Sequence, residues 1–242
     1  MAPNGNSEER SRISANWNRL NDQIAATTTR IGRVPETIKI VTVGKTFPVA
    51  ILKAAMEVGI RVFGENRVQE AAPKIEFFRN IPDIEWHMIG HLQTNKAKKA
   101  AELFNVIQSV DSVRLAQLLS TEGGRLGRTI PVFIEINTSG ESAKSGMAPD
   151  ALFPALDEIA VLPNIAVSGL MTVGPLTDDV GQIRHAFRQL KKLYDRAREQ
   201  SYPNCHFERL SMGMSGDFEI AIEEGSTMIR VGRAIFGERG AA

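Results

Sequence analysis

The sequence lacks the features that mark several large classes of protein. It has a single cysteine, Cys205, so no disulfide can form within the chain, and we expect a reducing, cytoplasmic setting. Lysine plus arginine number 29 and aspartate plus glutamate number 28, which leaves a net charge of only +1. This balance gives no broad field for nucleic acid or for an anionic membrane surface, so we expect neither partner.

Long apolar runs are also missing. The longest uncharged stretch, 159–177, contains two prolines and two glycines, which predict a helix end, a turn, a strand and a loop instead of a membrane span. The first twelve residues are polar and charged and lack the apolar centre of a secretory signal. We therefore expect no export, and we expect segment 1–12 to be flexible.

What the sequence does contain is a regular alternation of short apolar runs with longer helical segments. The chain has 242 residues, and an α/β barrel has ~250. The predicted strands are 39–44, 61–64, 85–89, 106–110, 132–137, 166–171, 207–212 and 228–232. Eight strand and helix units with no linker between them predict one domain over residues 1–242, a single (β/α)₈ TIM-type barrel, with an open doubly wound sheet as the alternative.

Two helices are clear from their periodicity. Ile13, Trp17, Leu20 and Ile24 recur at steps of three and four residues, which predicts an extra amphipathic helix before the first strand. A second helix is predicted over 182–198, with its apolar stripe formed by Ile183, Phe187, Leu190, Tyr194 and Ala197.

The first predicted strand ends at a lysine, Lys45. In a barrel the functional groups collect where strands end, and a desolvated lysine there has a lowered pKa and becomes a nucleophile for a Schiff base. A surface lysine at the barrel rim is the alternative. A P-loop is excluded, because Lys39 stands where that motif requires its first glycine.

Two segments near the end of the chain have the composition of a phosphate site. Residues 211–217 follow the seventh predicted strand and residues 230–237 cover the end of the eighth, and both combine small residues with a helix start. Phosphate binds at this place in many barrels. Together with Lys45, these segments predict a phosphorylated aldehyde held at both ends, and pyridoxal phosphate (PLP) fits that description.

Arg230 lies on the same side of the eighth predicted strand as Gly232, and its charge would affect the chemistry of a bound PLP. A guanidinium beside the pyridine nitrogen would keep that nitrogen unprotonated, because two cations repel, and the cofactor would be a weaker electron sink. The alternative is a salt bridge from Arg230 to an inward acid such as Glu135.

Two further polar residues lie at strand ends or within strands. Asn66 follows the second strand, where it could bind a ligand, although Glu65 or Asn66 could equally cap the next helix. His87 alternates with Trp86 and Met88 and faces the opposite side, where it could also pack between the barrel wall and a helix. Neither His87 nor His91 has a second ligand at the spacing of a metal site, so no metal is predicted.

These motifs resemble those of the pyridoxal phosphate homeostasis protein family, whose fold is similar to the N-terminal barrel of alanine racemase. The matching segments run in the family's order from about Ile38 to Gly237: Gly44–Thr46, Phe63–Glu70, Trp86–Gln93, Ser211–Asp217 and Arg230–Gly237. The resemblance implies that Lys45 forms the internal aldimine with PLP and that Arg230 faces the pyridine nitrogen. It also implies a phosphate cradle of Ser215 with the backbone amides of Gly232 and Arg233, assisted by Ser211, and it places Asn66 and His87 beside the ring.

The resemblance further implies a cofactor-binding protein without established catalysis. We expect it to act in vitamin B6 homeostasis, buffering PLP or delivering it to PLP-dependent apo-enzymes, and to be a monomer. The alternative is a racemase or decarboxylase of the same barrel type, which normally has a second domain and an acid or base on the cofactor face opposite the lysine. The only tyrosines, Tyr194 and Tyr202, are predicted to lie away from the barrel mouth. An aldolase-like lyase that uses Lys45 without a cofactor is a third hypothesis.

Overall fold

The chain forms eight parallel strands that pair in sequence order and close into a barrel, the last strand bonded to the first. A computed structural model of the protein describes residues 4–141 and 144–237. The strands are β1 (Lys39–Val43), β2 (Val62–Glu65), β3 (Glu85–Met88), β4 (Val106–Val110), β5 (Ile130–Glu135), β6 (Ile165–Met171), β7 (Cys205–Ser211) and β8 (Met228–Val231). The α-helices are α1 (Asn4–Arg30), α2 (Val49–Glu57), α3 (Val68–Phe77), α4 (Ala97–Leu103), α5 (Val113–Leu126), α6 (Leu152–Ile159), α7 (Val180–Arg198), α8 (Phe218–Glu223) and α9 (Arg233–Phe236).

The predicted (β/α)₈ barrel is confirmed, and the alternative of an open sheet is wrong because β1 pairs with β8. Each predicted strand coincides with an observed one, and the boundaries differ by no more than two residues. The largest shift is in β5. The amide of Ile136 still donates to Met171 O of β6, but that of Asn137 donates to Met147 O at 2.9 Å, so the pairing with β6 stops after Ile136.

Apolar side chains form two separate layers. The larger layer lies between the strands and the surrounding helices, as alternation along buried strands requires. The smaller one fills the barrel interior and is formed by Val41, Val43, Ile89, Val106, Phe133, Met171 and Met228. Because these residues come from strands or strand ends around the whole barrel, a residue in contact with them faces the interior.

The predicted extra helix is α1. Ile13, Leu20 and Ile24 are buried along one face of it, as their spacing predicts. The helix begins at Asn4, so most of segment 1–12 is helical, while residues 1–3 lie outside the described residues. The flexibility of this segment stays a prediction.

Helix α1 packs against α2, α8 and α9, across the place where the barrel closes. Asn16 Nδ2 donates to Ile235 O at 2.9 Å, and the guanidinium of Arg12 donates to Phe236 O. The first helix therefore binds the carbonyl groups of α9, the last helix described.

Helix α7 also matches its sequence. Asp179 caps it by accepting from the amides of Gly181 and Gln182, and its predicted apolar stripe is buried. Among residues 4–141 and 144–237, no helix combines the length and the apolar character that crossing a membrane requires.

Candidate cofactor-binding site

Lys45 lies on a tight turn immediately after β1, at the end of the barrel where the strands terminate. The amide of Phe47 donates to Gly44 O at 3.1 Å and closes the turn. Lys45 is half-buried, whereas Thr46 is exposed and has a φ of 68°. This left-handed conformation is strained for a β-branched residue, and such strain is often found at ligand sites.

A buried ion pair supports this turn from behind. Glu65, the last residue of β2, is fully buried, and its Oε1 atom lies 2.8 Å from Lys74 Nζ. Lys74 also donates to Gly44 O at 2.8 Å, so the pair connects α3 to the backbone of the Lys45 turn. Burial raises the pKa of Glu65 and the hydrogen bond from Lys74 opposes that rise.

Sequence reasoning missed this pair. It considered Glu65 as a helix cap, but the carboxylate binds Lys74, and α3 begins after Arg67. The available signal was Lys74 itself, which follows Val68 and Ala71 at steps of three residues on the buried stripe of α3.

Asn66 follows β2 and lines a cleft of about 570 Å³ at the mouth of the barrel. Gly90, after β3, approaches it so closely that a Cβ atom at Gly90 would lie 2.5 Å from Asn66 O. The loops after β2 and β3 are thus packed backbone to backbone. Contact of Asn66 with a ligand stays a prediction.

The two segments that the sequence assigns to phosphate binding come together. Ser215 Oγ, in the loop after β7, accepts from Gly232 N at 3.3 Å and from Ala234 N at 3.2 Å, where β8 passes into α9. A Cβ atom on Gly232 would lie 3.2 Å from Val43 O, so this turn also packs against the end of β1. The backbone amides and the hydroxyl therefore cluster on the strand next to the one that precedes Lys45.

Arg230 is buried in the barrel interior and donates to two neutral oxygens. Its Nη1 atom lies 2.6 Å from Ser211 Oγ, and its Nη2 atom lies 2.7 Å from Thr172 O. Among the described residues no direct salt bridge joins Arg230 to Glu135, as that alternative required, and the two groups interact only through their charges. Burial lowers the pKa of Arg230 to about 10, which leaves the guanidinium charged at neutral pH.

Glu135 is the last residue of β5 and lies on the same side of that strand as Phe133 of the interior layer. It is 4% exposed, and its Oε2 atom has no hydrogen-bond partner among the described residues. Burial raises its pKa to about 7, although the charge of Arg230 opposes this shift. A carboxyl group that titrates near neutrality therefore lies in the electrostatic field of Arg230.

His87 lies inside the barrel, so the alternative of packing between wall and helix is wrong. It is 1% exposed, its Nε2 atom lies 2.8 Å from Glu85 Oε1, and its Nδ1 atom lies 2.7 Å from Gln108 Nε2. Gln108 contacts Met228 of the interior layer, and its Oε1 atom accepts from Ser211 Oγ at 2.7 Å. Both nitrogens of His87 are thus bound within the protein, and contact with a cofactor ring stays a prediction.

Ser211 is placed differently from the expected phosphate cradle, because its hydroxyl binds Gln108 and Arg230 in the interior. Gln108, which connects His87 to Ser211, was missed by sequence reasoning. Within the described part of the chain, no group of histidine, cysteine and acidic residues could hold a metal ion.

Comparison with known proteins agrees with this architecture. Residues 10–240 match the family model for the N-terminal domain of alanine racemase. An alanine racemase from Corynebacterium glutamicum superposes with a TM-score of 0.71 at 17% identity, over 95% of this chain and 62% of the racemase. At that identity the racemase shares the barrel fold alone.

Full-length relatives are more similar. The pyridoxal phosphate homeostasis protein of Vibrio cholerae is 40% identical over 230 residues, which are 94% of this chain and 96% of the relative. PipY of Synechococcus elongatus, solved with PLP bound, is 36% identical with a TM-score of 0.78, over 88% of this chain and all of PipY. The chain belongs to the pyridoxal phosphate homeostasis protein family, within the group that shares the alanine racemase N-terminal barrel.

Proposed function

We propose that this protein binds PLP in the mouth of its barrel, as a Schiff base on Lys45, and acts in vitamin B6 homeostasis by buffering PLP or delivering it to PLP-dependent apo-enzymes. The observation that carries the proposal is the convergence of three groups on neighbouring strand ends. Lys45 follows β1, Arg230 lies on β8, and Ser215 reaches the β8–α9 turn from the loop after β7. The PLP-bound structure of PipY supports the same ligand.

The residues fit this cofactor in charge and in polarity. Ser215 and the amide-rich turn at Gly232 suit a phosphate group, which hydroxyl and backbone N–H groups bind well. Arg230 presents a buried cation whose described contacts are all neutral, so its charge is available to an acceptor such as a pyridine nitrogen. Asn66 and the amide of Arg233 complete the proposed set.

The covalent step is a condensation. The neutral amine of Lys45 adds to the aldehyde carbon of PLP, one water molecule leaves, and a C=N bond remains, so hydrolysis with water releases the cofactor unchanged. The strained turn and the Glu65–Lys74 pair hold Lys45 at the end of β1. Arg230 keeps the pyridine nitrogen unprotonated, which weakens the electron sink and favours storage over turnover.

A spectroscopic titration tests binding. Purified protein mixed with PLP should develop the visible band of bound cofactor, and borohydride should fix the cofactor on Lys45, as located by peptide mass spectrometry. Lys45→Ala should lose the band but retain part of the affinity through the phosphate contacts. Lys53→Ala, on an exposed position of α2, is the matched control and should behave like the wild type. A wild type that stays colourless with PLP contradicts the proposal.

A second experiment separates a carrier from an enzyme. The PLP-loaded protein is incubated with each amino acid, and racemisation and decarboxylation are measured. We expect no turnover; robust turnover of any amino acid would favour the racemase or decarboxylase alternative.

Delivery can be separated from buffering by kinetics. The loaded protein is mixed with increasing concentrations of a PLP-dependent apo-enzyme, and the rate of enzyme activation is followed. A rate that rises with apo-enzyme concentration indicates direct transfer, and a constant rate equal to spontaneous release indicates buffering.

We also propose that the protein is a cytoplasmic monomer, for which light scattering of the loaded protein should give a mass near 26.6 kDa.

A further inference from the structure

A continuous chain of polar side chains crosses the interior of the barrel. It starts at the amino-terminal ends of the strands, where Lys39 Nζ lies 2.5 Å from Glu85 Oε2. From Glu85 it passes to His87, then to Gln108 and Ser211, and it ends at Arg230, with each step between 2.6 and 2.8 Å. Lys39 and Glu85 are partly exposed, whereas the four other members are at most 4% exposed.

The donor and the acceptor of each hydrogen bond along this row of polar side chains follow from the charge of Glu85. Glu85 has its pKa lowered to about 2, mainly by the hydrogen bond with His87, so it is a carboxylate that can only accept. His87 must therefore carry its proton on Nε2, and burial lowers the pKa of the ring, which leaves Nδ1 as an acceptor. Gln108 then donates its amide N–H to His87, and its carbonyl oxygen must face Ser211.

This direction continues as far as the guanidinium. Ser211 donates its hydroxyl proton to Gln108 Oε1, so toward Arg230 its oxygen acts as an acceptor. Ser211 is thereby held as an acceptor at one edge of the guanidinium, while Thr172 O fixes the other nitrogen. The plane of the Arg230 side chain is thus defined by two acceptors, one of which depends on His87.

Protonation of His87 on Nδ1 would reverse the direction of the hydrogen bonds between His87, Gln108 and Ser211. A proton on Nδ1 would point at the amide nitrogen of Gln108, so the amide would have to rotate and present N–H to Ser211. Ser211 would then face two donors, and its own proton would lose its acceptor. The charged groups around His87 are Glu85 on its own strand and Lys39 on β1, and those around Arg230 are Glu135 and Asp217.

We infer that His87, Gln108 and Ser211 form a relay that positions Arg230, and that the relay requires neutral His87 with its proton on Nε2. The inference rests on the proposed function, since the group that Arg230 is positioned to meet is the cofactor. His87 is then a positioning residue that acts through Gln108 and Ser211, in place of the ring contact that the family resemblance implied.

The decisive variant is Gln108→Glu, which keeps the size and shape of the side chain. A carboxylate can accept from Ser211 but cannot donate to Nδ1, so His87 must take up a second proton to restore the bond. In ¹⁵N NMR spectra of the apoprotein, the wild-type His87 ring should show the neutral Nε2–H tautomer at pH 7, and the variant should show an imidazolium. This readout does not depend on PLP.

The second readout is the bound cofactor itself. We expect Gln108→Leu to bind PLP ~10-fold more weakly, because Ser211 loses the acceptor for its own proton and is no longer held as an acceptor for Arg230. Gln108→Glu keeps an acceptor for Ser211 and should retain most of the affinity. Ser109→Ala, on the same strand with a buried hydroxyl that has no described partner, is the matched control and should resemble the wild type.

The outcomes separate this inference from the proposed function. If wild type fails to bind PLP, the proposed function fails, and the NMR spectra still test the tautomer. If wild type binds PLP but Gln108→Leu keeps its affinity and spectrum while losing stability to urea, the polar side chains are structural and the inference is overturned. If Gln108→Leu fails to fold, the ¹⁵N spectrum of the isosteric Gln108→Glu variant decides alone, and a neutral His87 ring in that variant overturns the inference.

Discussion

Lys74 and Arg230 are both cations inside the fold, and their charges are handled in different ways. Lys74 lies 2.8 Å from the buried carboxylate of Glu65 and holds the backbone of the Lys45 turn. Within residues 4–141 and 144–237, Arg230 donates only to the neutral oxygens of Ser211 and Thr172. The charge of Lys74 is compensated by direct contact with an acid, and this pair supports the structure. We expect Arg230, which neutral acceptors hold, to offer its charge to the proposed cofactor.

The largest effect is expected from removing Lys74, the cation that is paired with an acid. Lys74→Met leaves the Glu65 carboxylate buried without its partner, and breaking such a pair costs about 3–5 kcal/mol of unfolding free energy. Urea denaturation of the apoprotein measures the loss. Replacing both members, as Lys74→Met with Glu65→Gln, should recover most of it.

Arg230→Met is the matched comparison. It removes a buried charge that has no ionic contact, so only the donors to two neutral oxygens are lost, at about 1–3 kcal/mol. PLP affinity should fall in this variant much more than in the Lys74 variants. Equal losses of stability in Lys74→Met and Arg230→Met would remove the distinction between the two cations.

A smaller effect concerns the acid beside Arg230. The pKa of Glu135 is raised from 4.5 to about 7, so the folded state keeps a proton that the unfolded chain releases. The contribution is fully present below pH 4.5 and is lost as pH rises to about 7, a change of about 3 kcal/mol at most. The free energy of unfolding should therefore fall with pH across this window relative to Glu135→Gln.

The same measurement can contradict the separation of Glu135 from Arg230. If the two groups formed an ion pair, the pKa of Glu135 would lie below 4.5, and the wild type would gain stability relative to Glu135→Gln as pH rises toward neutrality. The comparison needs urea titrations of both proteins at several pH values between 4 and 8.

The smallest effect is expected at the Lys45 turn. Thr46 has a φ of 68°, and glycine adopts that conformation without steric cost, so Thr46→Gly should stabilise the apoprotein by up to about 1 kcal/mol. Thr121→Gly, at an exposed position within α5, should instead destabilise it by about 1 kcal/mol. Loss of stability at both positions would show that the turn is unstrained.

Local patterns explain why so much of the fold was predictable. Eight apolar runs at regular spacing leave few arrangements other than a barrel. The residues that follow each strand, such as Lys45 and Gly232, are then predicted to lie at the barrel mouth. The partners of these residues were not predictable. Whether Gln108 meets His87 and Ser211, or Lys74 meets Glu65, depends on the register between neighbouring strands and helices, which the period of a single segment does not contain.

The attachment of α1 to α9 has a consequence for how the chain folds. Asn16 and Ile235 are joined by a hydrogen bond across a separation of 219 residues. During synthesis α1 can pack against α2 soon after both have been made, but its contacts with α8 and α9 must wait until those later helices exist. Contacts between residues so far apart in sequence slow folding, so we expect the proposed cradle at Gly232 to be completed late in assembly.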